Sequence, residues 1–446
     1  MSTFGTVSFY TLGCKLNYSE TSAIGRQFTE AGFQEVDFGA GADVVVINTC
    51  SVTEFADRKC RNIVRRALGA NAGAKIVVVG CYAQLKPDEI ANIDGVDLVL
   101  GAAEKFRILD YIEGIASGSD KGMVRAGEVK EADTFISSFS FGDRTRSFLK
   151  VQDGCDYKCT FCTIPLARGK SRSATVEQIV TDAEAIAARG TKEIVLTGVN
   201  IGDFGNGTSI IEGQRPRKEA LFSDLARALD GVAGISRFRI SSIEPNLCTN
   251  ELIDFVAQSK RFAPHFHMPL QSGNNKQLAQ MRRRYKRELY AERVAHIRKV
   301  MPHACIGVDL IVGFPGETEA DFLETYRFVQ ELDISYLHVF TYSERANTPA
   351  AEMDGVVPLA ERKRRNKMLG ILSEKKKRAH YERHLGQVRP VLLEQSKTEG
   401  VLQGFTDNYV RVRFPAEDSW VNHLVDMRLE EIGEDGLVRA EVGELV

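Results

Sequence analysis

The chain has a single tryptophan and 12 prolines in 446 residues, and its charges almost cancel, 58 Lys and Arg against 60 Asp and Glu. A formal net charge of −2 gives no overall attraction for a polyanion, so any such partner must meet a local patch. No apolar run reaches the roughly 18 residues that a bilayer span needs, and no membrane partner is expected. The opening MSTFGTVSFYTLGCKLN has neither a basic stretch nor an apolar one, so no export signal is expected. There is no G-x-x-x-x-G-K-[ST] phosphate loop, and the glycines of GDFGNG (202–207) are wrongly spaced for a dinucleotide turn. Repeats of 20–50 residues and low-complexity tracts are missing too. What remains is ordinary globular usage, 43% hydrophobic and 26% charged, long enough for two to four domains. Nine cysteines without an export signal fit reduced thiols or metal ligands better than a disulfide framework.

Three regions emerge from the patterning, an α/β organisation followed by a small β domain. In residues 1–117 short apolar runs (TVSFYTL, DVVVINT, KIVVVG, DLVLG) alternate with helical patterns, one from Ser19 and one from Thr53. Such Val/Ile runs predict parallel strands buried on both faces. Residues 118–139 are polar and Gly-rich and read as a linker. From 140 to 385 six further apolar runs alternate with helices, which suits a complete or partial parallel barrel. Residues 386–446 are rich in strand formers with Gly and Asp turns, the pattern of an all-β domain.

Two cysteine sets stand out. Cys155, Cys159 and Cys162 fall within GCDYKCTFC, directly after a strand. Thiolates select zinc, copper(I) or iron–sulfur clusters. Structural zinc wants four ligands and duplicate C-x2-C pairs; three cysteines on a four-iron cluster leave one iron open. Cys14, Cys50 and Cys81 are far apart in sequence, yet each directly follows an apolar strand. In a parallel sheet those strand ends share one rim, where α/β sheets place ligands. The rival reading is three small buried hydrophobes. Cys60, Cys248 and Cys305 lack such positions and are assigned to the core.

The loop C-x3-C-x-aromatic-C, with Phe161 before Cys162, resembles that of radical S-adenosylmethionine (SAM) enzymes. Together with the three scattered cysteines, HMPLQSGN and DLIVGFPGET, it is similar to the methylthiotransferase family over nearly the whole chain. TLGCKLNYSE most resembles the branch acting on N6-threonylcarbamoyladenosine of tRNA. The resemblance implies a methylthiotransferase domain, a partial (βα)6 radical-SAM barrel and a C-terminal barrel of the TRAM type. It implies two [4Fe-4S] clusters, one on Cys155, Cys159 and Cys162 with SAM, the other on Cys14, Cys50 and Cys81. Adenine C2–H has no acidic proton, so a base cannot open it near neutral pH, whereas a radical can. The expected partners are tRNA, a low-potential electron donor of ferredoxin or flavodoxin type and a sulfur donor, in the cytoplasm. Rival readings are a sister enzyme acting on isopentenyladenosine or a ribosomal-protein aspartate, and a zinc-stabilised RNA-binding protein without catalysis.

By the same resemblance Thr197, Gly198, Asn200, Ser242, Glu244, Gln271 and Ser272, with Phe161, are expected around SAM; turn capping is the alternative for Asn200 and Ser272. Asp309 either faces the lumen or pairs with an arginine. His265 and His267 are ligands or satisfied core histidines, and Glu317 with Thr318 opens a helix or merely caps it. Eleven Lys and Arg against three Glu between Glu361 and Arg389 make a local +8. Lys375, Lys376, Lys377 and Arg378 there, with Arg168, Lys170 and Arg172 near the cluster loop, are expected to meet RNA phosphates. The last 57 residues carry −7, so the β domain is expected to contribute less.

Overall fold

The computed structural model describes residues 5–50, 54–116, 122–142, 145–205 and 220–442. Thr53, residues 118–121 of the expected linker and the end of the GDFGNG stretch lie outside them.

The first layer is a six-stranded parallel sheet in the order β2-β1-β3-β4-β5-β6. Its strands are β1 (Thr6–Thr11), β2 (Gln34–Glu35), β3 (Val44–Thr49), β4 (Lys75–Gly80), β5 (Val96–Leu100) and β6 (Met123–Arg125). All of β3 and β5 is buried, because helices cover both sheet faces and each face has its own apolar cluster. The helix expected from Ser19 begins at Lys15. The segment read as linker supplies β6, whose three residues are too few to show a pattern.

Next come β7 (Ser147–Lys150) and a small antiparallel pair, β8 (Gln152–Asp153) with β9 (Arg172–Ser173). Then follow β10 (Glu193–Thr197), β11 (Arg237–Ile240), β12 (His265–Gln271), β13 (Cys305–Val312) and β14 (Tyr336–Thr341). Two parallel sheets, β11-β10-β7 and β12-β13-β14, join through the parallel bridges Phe238–Phe262 and Ser242–His267. The six expected parallel strands thus form an open barrel around one continuous core. Helix Lys15–Glu30 packs against β7 at the open side.

The chain ends in a closed five-stranded barrel of β15 (Val388–Glu394), β16 (Val401–Thr406), β17 (Arg411–Pro415), β18 (Leu424–Ile432) and β19 (Val438–Val442). It is clamped to the open barrel from below. Arg237 donates to the carbonyls of Pro390 and Phe405, Arg239 to those of Thr406 and Asp407, and buried Glu193 accepts from both arginines. Among the described residues no helix is long and apolar enough to cross a membrane.

Candidate active site

The scattered cysteines meet at one rim. β1, β3 and β4 are neighbours in register, Thr11 beside Asn48 and Thr49 beside Gly80. Cys14 precedes helix Lys15–Glu30, Cys50 follows β3, and Cys81 opens helix Cys81–Leu85. Adjacent strands lie about 4.8 Å apart, so their carboxyl ends bring the three thiols together. Glycine is required at two steps. Gly13 has φ +111°, and a Cβ there would lie 2.6 Å from the Cβ of Cys50; at Gly80, φ +100°, it would lie 2.4 Å from the Thr49 carbonyl oxygen. Fully buried Asn17 ties the rim, donating to the carbonyls of Leu12 (3.0 Å) and Thr49 (2.9 Å) and to Oδ1 of Asn48 (3.1 Å).

Below the rim is a buried ion cluster that sequence reading missed, because its members are far apart in the chain. Glu20 accepts from Lys105 (2.7 Å), Arg168 (2.9 Å) and Lys150 (3.4 Å). Asp153 accepts from Arg168 (3.0 Å) and Arg172 (3.3 Å). Burial alone would raise the Glu20 pKa, but Arg168, Lys105 and Lys150 bring it from 4.5 to about 2. Burial lowers Lys150 to about 8. Four cations against two carboxylates leave an excess of positive charge beneath thiols that bind metal only as thiolates. Arg168 and Arg172 are therefore not phosphate contacts: they are about 2–3% exposed and fully committed to these carboxylates and to nearby carbonyls. The charge read near the site faces inward.

The other triad sits in the loop after β8. The Tyr157 N–H donates to Cys155 Sγ (3.4 Å), the Ile164 N–H to Cys162 Sγ (3.5 Å), and Arg283 Nη1 to Cys159 Sγ (3.1 Å). Burial pushes Cys155 up to about 12 and Cys162 to about 11, and a bound cation would favour their thiolate forms. Gly154 is obligatory: with φ +70°, a Cβ would lie 1.9 Å from the Lys170 carbonyl oxygen.

The donor set discriminates between metals. Tetrahedral zinc, with bonds near 2.3 Å, would hold its sulfurs roughly 3.8 Å apart. Among the described residues the group whose possible ligand atoms all fall within 4.8 Å is His267, Asp309 and His338. Each cysteine triad supplies three soft thiolates, the donor type that iron–sulfur clusters take, and leaves one iron of a four-iron cage open.

Cys14 and Cys50 line the barrel lumen, a cavity of about 830 Å³ shared with Thr197, Gly198, Ser242, His267, Asp309 and His338. Cys155 lines a separate cavity of about 590 Å³ with Lys158 and Lys170. Gln152 stands between the two strand ends, donating to the carbonyls of Asp153 and Gly154 and accepting from the N–H groups of Val199 and Asn200. Both polar side-chain atoms of Asn200 are buried without a partner among the described residues, as a site for a polar ligand requires. Glu244 pairs with Arg283, the arginine that also holds Cys159.

Other expected positions are committed to structure. Ser272 Oγ bonds Thr325 Oγ1 (3.1 Å) and accepts from the Asn274 N–H. Gln271, at φ 67°, follows the irregularity in β12. Phe161 packs beside Phe314. Thr318 and Asp321 form a capping box, and Glu317 accepts from Arg365 (2.6 Å). Asp309 faces the lumen and pairs with His267 (2.8 Å) and His338 (3.4 Å), not with an arginine. His265 contacts the Tyr336 hydroxyl (3.3 Å), and burial pushes its pKa well down.

The basic stretch is partly engaged. Lys376 donates to the carbonyls of Gln330 and Leu332, Lys377 pairs with Glu374, and Arg378 with Glu382. These residues lie at the amino end of β14, opposite the cysteine loop. Lys375, Arg378 and Lys170 are exposed.

Comparison with known proteins adds the family context. Residues 149–329 match the Radical SAM superfamily and residues 6–101 the uncharacterized protein family UPF0004. A threonylcarbamoyladenosine tRNA methylthiotransferase, MtaB, of Bacillus subtilis (strain 168) is 39% identical over 438 residues, covering 96% of this chain and 94% of that one. A tRNA-2-methylthio-N(6)-dimethylallyladenosine synthase of Nocardia farcinica is 34% identical, over 78% of this chain and 69% of its own. The radical S-adenosylmethionine methyltransferase TsrM of Kitasatospora setae, 14% identical, superposes with a TM-score of 0.60 over 78% of this chain and 75% of that chain, a likeness of fold.

Proposed function

Because the chain belongs to the radical-SAM methylthiotransferase family, we propose that it adds a methylthio group to C2 of N6-threonylcarbamoyladenosine at position 37 of tRNA. The observation that carries this reading is two separate cysteine triads, one on the N-terminal rim and one in the loop after β8, packed against one open barrel. Five relatives named for this activity, 32–39% identical over at least 90% of the chain, support it.

Cys155, Cys159 and Cys162 would hold one [4Fe-4S] cluster beside SAM, and Cys14, Cys50 and Cys81 the other. When bound, these groups supply the hydrogen-abstracting power and the sulfur that the side chains lack. The chain's own residues position and shield. Arg283 fixes Cys159 and Glu244 in one network, Asn17 and the two glycines hold the rim, and Asn200 offers its unpaired amide toward SAM. Phe148, Tyr18 and the exposed ring of Phe340 line the lumen, where a base splayed from a loop can stack. Lys170 and, more distantly, Lys375 are the proposed phosphate contacts.

The reading includes domain limits near residues 117, 139 and 385, a low-potential electron donor, a sulfur donor and a cytoplasmic setting. The test is nucleoside mass spectrometry of tRNA from a strain lacking the gene. Loss of the methylthio form of N6-threonylcarbamoyladenosine is expected; unchanged nucleosides, or loss of methylthiolated isopentenyladenosine instead, would overturn the assignment.

A further inference from the structure

The lumen contains one charge that the site leaves unused. Lys15 is the first residue of helix Lys15–Glu30, directly after Cys14, and its side chain lines the lumen. Its ammonium forms no hydrogen bond or ion pair with any described residue, so three N–H donors stay open. The neighbouring cations are engaged. Arg146 holds Glu394 (2.7 Å), and Arg239 holds Glu193 (2.9 Å) and two carbonyls of the C-terminal barrel. The lumen carboxylate, Asp309, is taken by its two histidines.

Lys15 is exposed at the mouth of the lumen, so its ammonium is open to an anion that enters with the substrate, and the pair gains strength as the bound base excludes water. The proposed substrate carries one: its amino-acid substituent ends in a carboxylate, whereas an isopentenyl group is neutral. The N6 substituent and C2 lie on the same edge of adenine. A cation adjoining Cys14 can therefore hold the carboxylate while C2 faces the cysteine rim.

We propose that Lys15 pairs with the carboxylate of the substrate's N6 substituent and thereby selects a carboxylate-bearing adenosine. This rests on the methylthiotransferase reading above. It makes Lys15 a specificity residue, distinct from the cluster ligands.

The experiment uses the reconstituted full chain and anticodon stem-loop RNAs bearing N6-threonylcarbamoyladenosine, its methyl ester, or unmodified adenosine. Affinity is read by fluorescence anisotropy, and KM and kcat by methylthiolation. Wild-type protein should bind the acid about thirty-fold or more tighter than the ester. Lys15→Met should abolish that preference, raising Kd and KM for the acid alone, with iron and sulfide content at the wild-type level. Lys15→Arg should restore most of it.

Equal wild-type affinity for acid and ester would overturn the proposal. So would a Lys15→Met effect equal on all three RNAs, which would mark a backbone phosphate as the anion. Failure of wild-type protein to methylthiolate the acid RNA at all would instead refute the functional reading.

Discussion

Replacing Glu20 with Gln removes the charge that three buried cations share while keeping nearly the same volume. Lys150 and Arg168 would be left with Asp153, and Lys105 would lose its ion-pair partner. Two estimates of the cost agree. Breaking a buried pair by removing one partner costs about 3–5 kcal/mol. Independently, lowering the carboxyl pKa from 4.5 to about 2 corresponds to about 3 kcal/mol. Glu20 is fully buried, so solvent screening does not reduce that figure. Because the cluster joins the parallel sheet (Glu20, Lys105) to the barrel (Lys150, Asp153, Arg168), the loss should appear as earlier unfolding of that junction. In thermal unfolding at pH 7 the melting temperature should fall by roughly 5–10 °C. The pH dependence has a definite sign. A carboxyl depressed in the folded state stabilises it above its unfolded pKa and loses that effect as pH falls. The gap between wild type and Glu20→Gln should therefore narrow between pH 4.5 and about 2. A melting shift below about 1 °C at pH 7, or a gap that widens on acidification, would refute the assignment.

The remaining predictions concern the rim, the cluster loop and the C-terminal barrel. Gly13→Ala and Gly80→Ala should each destabilise the rim by about 2–4 kcal/mol, read as loss of roughly half the iron per chain after anaerobic reconstitution. Replacing Cys155, Cys159 and Cys162 together with Ala should abolish SAM cleavage, and iron analysis should still find the other cluster in place. Glu193→Gln leaves Arg237 and Arg239 without their shared carboxylate, at a cost of about 3–5 kcal/mol. Limited proteolysis should then release the segment after about residue 386 faster than in wild type.

Much of this architecture is legible from residue order alone, and the reason is periodicity. VVVINT and KIVVVG are short and rich in β-branched residues, which reads as strands buried on both faces, and once they are parallel, Cys50 and Cys81 must share an end. The compact cysteine loop is visible because its ligands are local. What stays hidden depends on long-range pairing. Arg168 looks like a phosphate contact until Glu20, 148 residues away, is seen to accept from it. Arg283, within the basic run MRRRYKRE, points at Cys159 across 124 residues. Charge density along the sequence records how many cations exist and nothing about which way they face. The start of the first helix at Lys15 was also invisible, since Cys14 supplies no side-chain cap. A carboxylate inside a parallel strand such as Asp309 is expensive without a partner, and its two histidines come from the neighbouring strands: His338 directly beside it, and His267 two residues before its other neighbour, Pro269.

The clamp beneath the open barrel has an evolutionary reading. Arg237 and Arg239 grip backbone oxygens of Pro390, Phe405, Thr406 and Asp407, groups that every amino acid presents alike. The part of the docking surface read through the main chain leaves the attached module free to vary those side chains, while side-chain contacts such as Arg146 with Glu394 fix the rest of its seat. Exchange of this appendage between relatives should then be tolerated best where the two guanidinium groups remain.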